Sequence, residues 1–460
     1  MKRASVTMVV LIAMLASLLS ACGSSNNGNA DNGGNGGNGQ NTGGESASGD
    51  NAATGGEETV IRMASWSLAD TIEPILEAYE AEHPGVTVEY IELVDNEDSV
   101  AGMQKLDLLI ASGEDIDAIM LPGVTDYSKR AGLNLLAPLN ELIEGEGLDY
   151  GAEYVTDTSI DGTYYALPAT LENYFVLLNK DKLDAAGLEV PTEWTWTEFL
   201  EYAKALTAGE GPSKTYGTFF HTWPMYWFLG LMNQPEKNGL VNDGVLNVDS
   251  PQIRTSLELR HQAEHVDKSA VPYADTISQK LAYRPVYFTG QAAMIITGSW
   301  MISAAGGTEE FPASFTTAFA PLPSNAPGDP SGYSLANGNF VGILDKSENK
   351  QETYDFLRWY TTEGMQVKQE YSAWKQQDTD QYISAVKAQV PNPEFIDEAS
   401  LTYFMKNSKS AALNIPPTYQ GDLETAYTSE AEKYILGQQD LETTVANAAA
   451  ELQKIVDANE

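Results

Sequence analysis

The sequence is poor in cysteine, histidine and positive charge. Its 460 residues include 1 cysteine and 4 histidines, and 26 Lys and Arg residues stand against 65 Asp and Glu residues. One cysteine cannot form an intramolecular disulfide or a multi-thiolate metal site, and four histidines leave few ways to build imidazole chemistry. The net charge of −39 repels phosphate backbones and anionic lipid headgroups, which argues against nucleic acid as a partner. The hydrophobic fraction of 42% is enough for sizeable cores.

The first 22 residues have the pattern of a secretory signal. Lys2 and Arg3 precede an almost uninterrupted apolar run over 6–19, which is short for a transmembrane helix. The following Leu19-Ser20-Ala21-Cys22 resembles the bacterial lipobox, in which the cysteine sulfur receives a diacylglyceryl group. We therefore expect a lipoprotein signal peptide over 1–21 and lipidation at Cys22, the alternative being a leftover thiol beside an ordinary secretion signal.

Residues 23–58 carry no aromatic and no large aliphatic side chain. Such a segment cannot bury enough apolar surface to offset its chain entropy, so the sequence predicts a lipidated cysteine followed by a disordered Gly/Asn/Ser tether over 22–58. A Gly-rich coil of this length spans roughly 30–36 Å on average. The glycines at 33–37 mimic a phosphate-binding loop, but no strand precedes them and no helix follows.

The rest of the chain alternates short apolar strands with amphipathic helices. Apolar runs predict strands at 60–65, 86–93, 116–121, 173–178, 292–297 and 340–344. Ile72, Ile75, Leu76 and Tyr79 share one helical face, and helices are also predicted at 99–111, 181–186, 353–361 and from 441 onward. Thr195 begins a capping box that ends at Glu198. The alternation predicts an α/β protein with two units and a cleft beyond the carboxyl ends of its strands.

Five segments, in order along the chain, resemble hallmarks of bacterial extracellular solute-binding proteins of the maltose/oligosaccharide type (family 1). They are EAEHPGVTV at 80–88, LIASGEDID at 109–117, DGTYYALP at 161–168, the stretch NKDKL…AGL…P…WTW within 179–196, and FTGQAAM…GSW within 288–300. Two family features are absent: Ile116 replaces the usual proline, and Leu121-Pro122-Gly123 stands where maltose-type members carry a stacking tryptophan. One aromatic subsite is therefore missing or has moved.

The resemblance implies a two-lobe periplasmic-binding-protein-like fold (type II), with discontinuous lobes joined by a hinge. Carried onto this sequence, lobe one covers 59–168 plus 322–372 and lobe two covers 172–318 plus 376–460. It implies that a carbohydrate, with an oligosaccharide as the expected class, binds between the lobes and passes to an ABC import permease. We expect a monomer without cofactor or metal, lipid-anchored at the extracellular face of the membrane of a Gram-positive bacterium.

The same resemblance selects candidate ligand-binding residues. Aromatic rings cover the faces of a pyranose, and carboxylates and amides bind its hydroxyl rim. Trp300 matches the stacking tryptophan of the family, although it could also be a core indole, and Glu172 matches a glutamate on the crossing strand, where a hinge role is the alternative. The other candidates are Phe220 and Trp223 as an aromatic wall, Tyr419 near a further family aromatic, and Trp66, Asn173, Asp126, Asn337 and Trp374.

Enzyme functions find little support in the sequence. His261, Glu264 and His265 match the H-x-x-E-H pattern of inverted zinc metalloproteases, yet the local sequence is that of an ordinary polar helix. No nucleophile elbow or phosphate-binding motif is present. A glycosidase needs two catalytic carboxylates, but among 65 Asp and Glu residues some pair with suitable spacing is expected by chance. We expect a binding protein rather than an enzyme. The alternatives are a surface protein for a non-sugar solute or one serving a sensor kinase, and last a secreted hydrolase.

Overall fold

The computed structural model describes residues 59–95, 97–242 and 244–459. The expected signal peptide, Cys22 and the tether over 22–58 lie outside the described residues. Within these ranges, no helix combines the length and the apolar character needed to cross a bilayer.

The strands form two main sheets and two small pairs. The strands are β1 (Thr59–Ser65), β2 (Val86–Glu92), β3 (Ala118–Leu121), β4 (Leu167–Pro168), β5 (Tyr174–Asn179), β6 (Tyr216–Phe219), β7 (Val241–Asn242), β8 (Val245–Leu246), β9 (Ala292–Gly298), β10 (Thr317–Pro321), β11 (Tyr333–Ser334), β12 (Phe340–Ile343) and β13 (Lys409–Ser410). The first sheet has the order β2-β1-β3-β12-β4 and the second has the order β10-β5-β9-β6. β1, β2 and β3 are parallel, whereas β12 runs antiparallel to β3 and β4. In the second sheet only the β6–β9 pair is parallel.

Helices cover both sheets. They are α1 (Ala69–Glu82), α2 (Ser99–Ser112), α3 (Val124–Gly132), α4 (Asn140–Glu146), α5 (Tyr150–Glu153), α6 (Lys180–Ala186), α7 (Trp196–Ala205), α8 (Leu229–Met232), α9 (Pro251–His261), α10 (Tyr273–Gln279), α11 (Tyr283–Phe288), α12 (Lys350–Trp359), α13 (Met365–Lys368), α14 (Thr379–Gln389), α15 (Glu398–Asn407), α16 (Gln420–Ile435) and α17 (Leu441–Asn459). Gln262–Val266 and Tyr360–Gly364 are single π-helical turns that continue α9 and α12.

Helix ends follow from the local sequence. The predicted capping box is confirmed, since the Thr195 hydroxyl accepts a hydrogen bond from the Glu198 amide and the Glu198 carboxylate accepts one from the Thr195 amide. α2, α4 and α6 each end at a glycine in the left-handed region, at Gly113, Gly147 and Gly187. Only glycine adopts that conformation without steric cost, so these residues stop each helix within one turn.

Each sheet is the centre of one lobe. The elements packed around the first sheet, which we call the first lobe, bury the apolar faces of α1 and α12 on one side and of α2 and α3 on the other. The elements around the second sheet form the second lobe. Along β5, Val176 and Leu178 face one core while Phe175 and Leu177 face another, because successive side chains of a strand point to opposite sides.

The chain passes between the lobes three times. Residues 169–173 lead from β4 to β5, residues 335–339 lead from β11 to β12, and residues 369–378 lead from α13 to α14. Backbone hydrogen bonds tie these crossings together: the Glu172 amide donates to the Asn337 carbonyl at 2.9 Å, and the Leu171 amide donates to the Tyr371 carbonyl at 2.9 Å. The three crossings form the hinge of the two-lobe α/β fold.

The segment that follows β10 continues on the second lobe. Leu322 is buried in the second-lobe core, and the Ser324 amide donates to the Trp194 carbonyl at 2.8 Å. β11 then pairs with β13. Residues 322–334, which the sequence assigns to the first lobe, thus contact the second lobe, because β10 is a strand of the second sheet and its exit leads along that sheet.

Candidate functional site

A cleft of about 600 Å³ lies against the crossing segments. Its lining includes residues of the first lobe, the second lobe and all three crossings. Five residues predicted from the sequence meet there: Trp66, Glu172, Trp223, Trp300 and Asn337. A volume of this size is typical of small-molecule binding sites.

Four aromatic side chains of the second lobe form one wall of the cleft, here called the aromatic wall: Tyr174, Trp223, Tyr283 and Trp300. The Trp300 ring lies 5.4 Å from Tyr174 and 6.0 Å from Trp223, measured between centroids, with interplanar angles of 83° and 62°. Trp223 lies 5.3 Å from Tyr283. Trp223, Tyr283 and Trp300 are only partly buried, so part of each ring remains available as apolar surface for a ligand.

Trp300 owes its position to a glycine. β9 ends at Gly298, and the indole lies so close to its backbone that a Cβ built on Gly298 would come within 2.0 Å of Trp300 Cζ3. No larger residue fits at position 298 without moving the ring. The indole Nε1 is buried and has no hydrogen-bond partner among the described residues. A buried N–H without a partner is uncommon in folded proteins, because leaving it unpaired costs free energy.

Trp66 faces the cleft from the first lobe. It directly follows β1, at the carboxyl end of a strand where clefts of α/β sheets lie. Gly102 of α2 admits its side chain, since a Cβ on Gly102 would come within 2.8 Å of Trp66 Cβ. The cleft therefore has indoles on both lobes.

Glu172 and Asn337 bring polar groups from two crossings. The Asn337 Nδ2 donates to Glu172 Oε2 at 3.1 Å. Burial, together with the nearby carboxylate of Glu370, raises the pKa of Glu172 to about 7, and the hydrogen bond from Asn337 opposes part of this shift. Near neutral pH both the protonated and the ionised form of the Glu172 carboxyl group are therefore populated.

Charged groups of both signs line the rest of the cleft. Lys368 and Glu370 form an ion pair of 2.9 Å between Nζ and Oε1. Arg284 is exposed beside the ring of Tyr283, and Glu97 lies on the first-lobe side. The lining thus carries carboxylates and cationic groups side by side.

Two predicted residues point into cores. Phe220 is 1% exposed, and the guanidinium Cζ of Arg260 lies 5.5 Å from its ring centroid. Asn173 is also 1% exposed and accepts a hydrogen bond from the Ser410 hydroxyl. Its neighbours Glu172 and Tyr174 both line the cleft, so strand alternation turns Asn173 to the other side.

Three further predicted residues lie away from the cleft. Tyr419 directly precedes α16 and packs against the second-lobe core. Asp126, in the first turn of α3, pairs with Arg130 at 2.6 Å. The Trp374 indole donates to Glu153 Oε1 at 2.7 Å. None of these three lines the cleft.

The structure adds cleft residues that sequence reasoning missed. Besides Tyr283 and Arg284, they include Ser67, Thr71, Ser99, Ser299, Ser303, Asn339, Gln369 and Tyr371. Ser67 and Ser299 could have been predicted from the sequence, because they are small polar residues just after the carboxyl ends of β1 and β9, where clefts of α/β sheets lie. Gln369 carries no such signal. It adopts φ of 55° at the end of α13, and its Oε1 is buried without a partner among the described residues.

The H-x-x-E-H pattern serves packing. Glu264 Oε1 pairs with the buried Arg260 at 2.8 Å, and Oε2 accepts from the Tyr273 amide at 2.8 Å. His265 Nε2 contacts the Ile435 carbonyl, and His261 stacks on a tyrosine. In the part of the chain that the structure describes, no group of three or more His, Cys, Asp or Glu side chains could hold a metal ion.

Comparisons with known proteins agree with this fold. The mannitol-binding protein of Pseudomonas aeruginosa is 28% identical over 156 residues, which cover 34% of this chain and 35% of that protein; the chain thus matches about a third of that relative's length. An ABC substrate-binding protein of Listeria monocytogenes in complex with cycloalternan is 19% identical with a TM-score of 0.70, over 87% of this chain and 99% of that chain. UgpB of Mycobacterium tuberculosis in complex with glycerophosphocholine is 16% identical with a TM-score of 0.69, over 87% and 98%.

A family model gives the most direct assignment. Residues 65–367, more than half of the chain, match the model of the bacterial extracellular solute-binding protein. This span contains Trp66, Glu172, Trp223, Trp300 and Asn337, the predicted residues that line the cleft. It also contains all strands of the two main sheets except β1, of which it includes only Ser65. The chain therefore belongs to the bacterial extracellular solute-binding protein family.

Proposed function

We propose that the protein binds a carbohydrate, an oligosaccharide, in the cleft and delivers it to an ABC import permease without catalysing a reaction. The observation that carries the proposal is the set of indoles on both lobes, Trp66 opposite Trp223 and Trp300, around the polar pair Glu172 and Asn337. Aromatic rings match the C–H faces of a sugar, and a carboxylate with an amide matches its hydroxyls. The mannitol-binding and cycloalternan-bound relatives support a polyhydroxylated ligand.

A second candidate ligand is a solute with a quaternary ammonium group. The near-perpendicular rings of the aromatic wall and the adjacent Glu172 offer cation–π and ionic contacts. The resemblance to a structure in complex with glycerophosphocholine supports this candidate. A separate alternative concerns the partner: the protein would present its ligand to a sensor kinase instead of a permease.

Trp300→Ala tests the proposal most directly. Removing an aromatic anchor costs about 2–4 kcal/mol of binding, which lowers the affinity roughly 30- to 1,000-fold. Thermal-shift and fluorescence titrations of a panel containing cycloalternan, mannotriose, mannitol and glycerophosphocholine give the measurement, because ligand binding raises the unfolding midpoint.

Trp359→Ala is the matched control, since that indole lies on α12 of the first lobe, outside the cleft and the crossings, and donates to Glu82. It should keep the wild-type affinity. Wild-type affinity in Trp300→Ala would contradict the site. Binding of glycerophosphocholine alone would favour the second candidate over a sugar.

We also propose lobe boundaries that differ from those predicted from the sequence. The first lobe covers 59–168 plus 340–368, and the second covers 174–334 plus 379–459. The second crossing is placed at 335–339 because residues 322–334 contact Trp194 and β13. Phe220, Asn173, Tyr419, Asp126 and Trp374 are left out of the proposed ligand contacts.

The proposed location is the extracellular face of the membrane of a Gram-positive bacterium, where a monomer is held by diacylglycerol and palmitate at Cys22 after removal of 1–21. A single acyl group binds membranes only marginally, whereas two or more anchor stably. Cys22→Ser should therefore appear in the aqueous phase of a detergent partition or keep its signal peptide, while the wild type enters the detergent phase. Wild-type protein entirely in the aqueous phase would contradict the anchor.

A further inference from the structure

Asn337 links a lobe-one helix to the acidic group of the cleft. Its Oδ1 accepts the Val124 amide, the first of α3, at 3.2 Å, and its Nδ2 donates to Glu172 Oε2 at 3.1 Å. A backbone N–H can only donate, so Oδ1 must face Val124 and Nδ2 must face Glu172. The orientation of this amide is thus determined by its partners rather than chosen freely.

The backbone at Gly123 lies close against the side-chain amide of Asn337. Gly123 precedes α3 with φ of +134°, and a Cβ on Gly123 would come within 3.1 Å of Asn337 Oδ1. Asn337 and Glu172 also face each other as paired residues of two crossings, with the Glu172 amide bonded to the Asn337 carbonyl. Both side chain and backbone therefore align Asn337 with Glu172.

Glu172 has one oxygen left for other partners. Oε2 is taken by Asn337, whereas Oε1 accepts no hydrogen bond from the described residues and is not among the buried unpartnered atoms. The ionisable groups around this carboxyl are Glu370, itself paired with Lys368, and the phenol of Tyr174, which the Asn337 amide also faces. Glu370 and burial both favour the protonated form of Glu172, and only the Asn337 hydrogen bond favours the ionised form.

We propose that Asn337 is a positioning residue, which favours the ionised form of Glu172 and turns its carboxyl group so that Oε1 accepts a hydroxyl of the ligand. This inference rests on the proposed function for its ligand, but the arrangement of Asn337 and Glu172 exists without one. A protonated Glu172 donates a hydrogen bond instead of only accepting, so loss of the amide changes which hydroxyl geometry the cleft can bind.

A ligand-free titration tests the inference. Asn337→Asp keeps the shape and the acceptor for Val124 but replaces the donor to Glu172 with a second carboxylate. The ¹³Cδ shifts of labelled glutamates are followed from pH 4 to pH 9, and the Glu172 signal is identified by its absence from Glu172→Gln. Asn339→Asp is the matched control, because it adds the same charge to the same crossing without a hydrogen bond to Glu172.

We expect the Glu172 midpoint to rise by roughly one to two pH units in Asn337→Asp, and by clearly less in Asn339→Asp. Asn337→Ala, which removes the donor and adds neither charge nor bulk, should shift the midpoint in the same direction and serves if the Asp variant does not fold. Equal midpoints in the wild type and the Asn337 variants, or equal shifts in the variants at 337 and 339, would overturn the inference. Because the titration uses no sugar, its result can be interpreted even if the protein turns out not to bind a carbohydrate.

Discussion

At the scale of single residues, glycines next to the cleft leave the space that its indole rings occupy. Gly298→Ala places a methyl group where the Trp300 indole lies, since the distance to Cζ3 would be 2.0 Å. The indole must move, and overpacking of this kind costs about 1–3 kcal/mol of folding stability. We expect affinity for a glycan that saturates the wild type to fall at least about tenfold, on the scale of a displaced anchor residue.

Calorimetric titration and urea unfolding measure the two effects. Gly421→Ala is the control, because Gly421 lies in α16 with nothing within 4 Å of its Cβ position. That change should leave affinity unaltered and add about 0.5–1 kcal/mol of stability through helix propensity. Unchanged affinity in Gly298→Ala would show that the ring position does not matter for binding.

Residue types and spacing could identify part of the residues in this site, but they could not tell which side chains face the cleft and which face a core. Glu172 and Trp300 were reachable because they follow motifs, and both line the cleft. Phe220 and Asn173 carry suitable chemistry yet face cores, since one step along a strand reverses a side chain. Tyr283 and Gln369 come from elements far apart in sequence, so only the tertiary structure brings them together.

At the scale of elements, local signals set the helix ends and can be tested singly. Thr195→Ala removes the hydroxyl that accepts from the Glu198 amide at the start of α7. Loss of such a cap costs about 0.5–2 kcal/mol, measurable as a lower urea midpoint. Thr195→Ser keeps the hydroxyl and should retain most of the stability; an equal loss in both variants would assign the effect to packing.

Part of the helices and strands could be predicted from the sequence, whereas α16, β10 and the assembly of the sheets could not. The apolar face of α1, the strand β9 and the long α17 follow directly from periodicity. The four-residue α8 and the π turn after α9 have too few residues for any period to show. The insertion of β12 beside β3 depends on contacts between distant segments, and the resemblance alone indicated that the lobes are discontinuous.

At the scale of the molecule, three crossings permit one lobe to rotate against the other. A ligand held between indoles of both lobes contacts both only in a closed arrangement, so it shifts the equilibrium toward closure. We expect the radius of gyration of residues 59–460 to decrease when a bound glycan saturates the wild type, as measured by X-ray scattering. Trp300→Ala at the same glycan concentration is the control, and an identical radius with and without glycan in the wild type would contradict hinge closure.

The insertion of β12 into the first sheet has a consequence for how the protein is made. β3 ends at Leu121, but its antiparallel neighbour begins only at Phe340, so the ribosome synthesises most of the second lobe before the first sheet can be completed. Until then, β3 exposes an unpaired edge of backbone groups, which is prone to association with other chains. The nascent protein therefore stays unfinished for most of its synthesis, and any product truncated before residue 340 is expected to aggregate or be degraded.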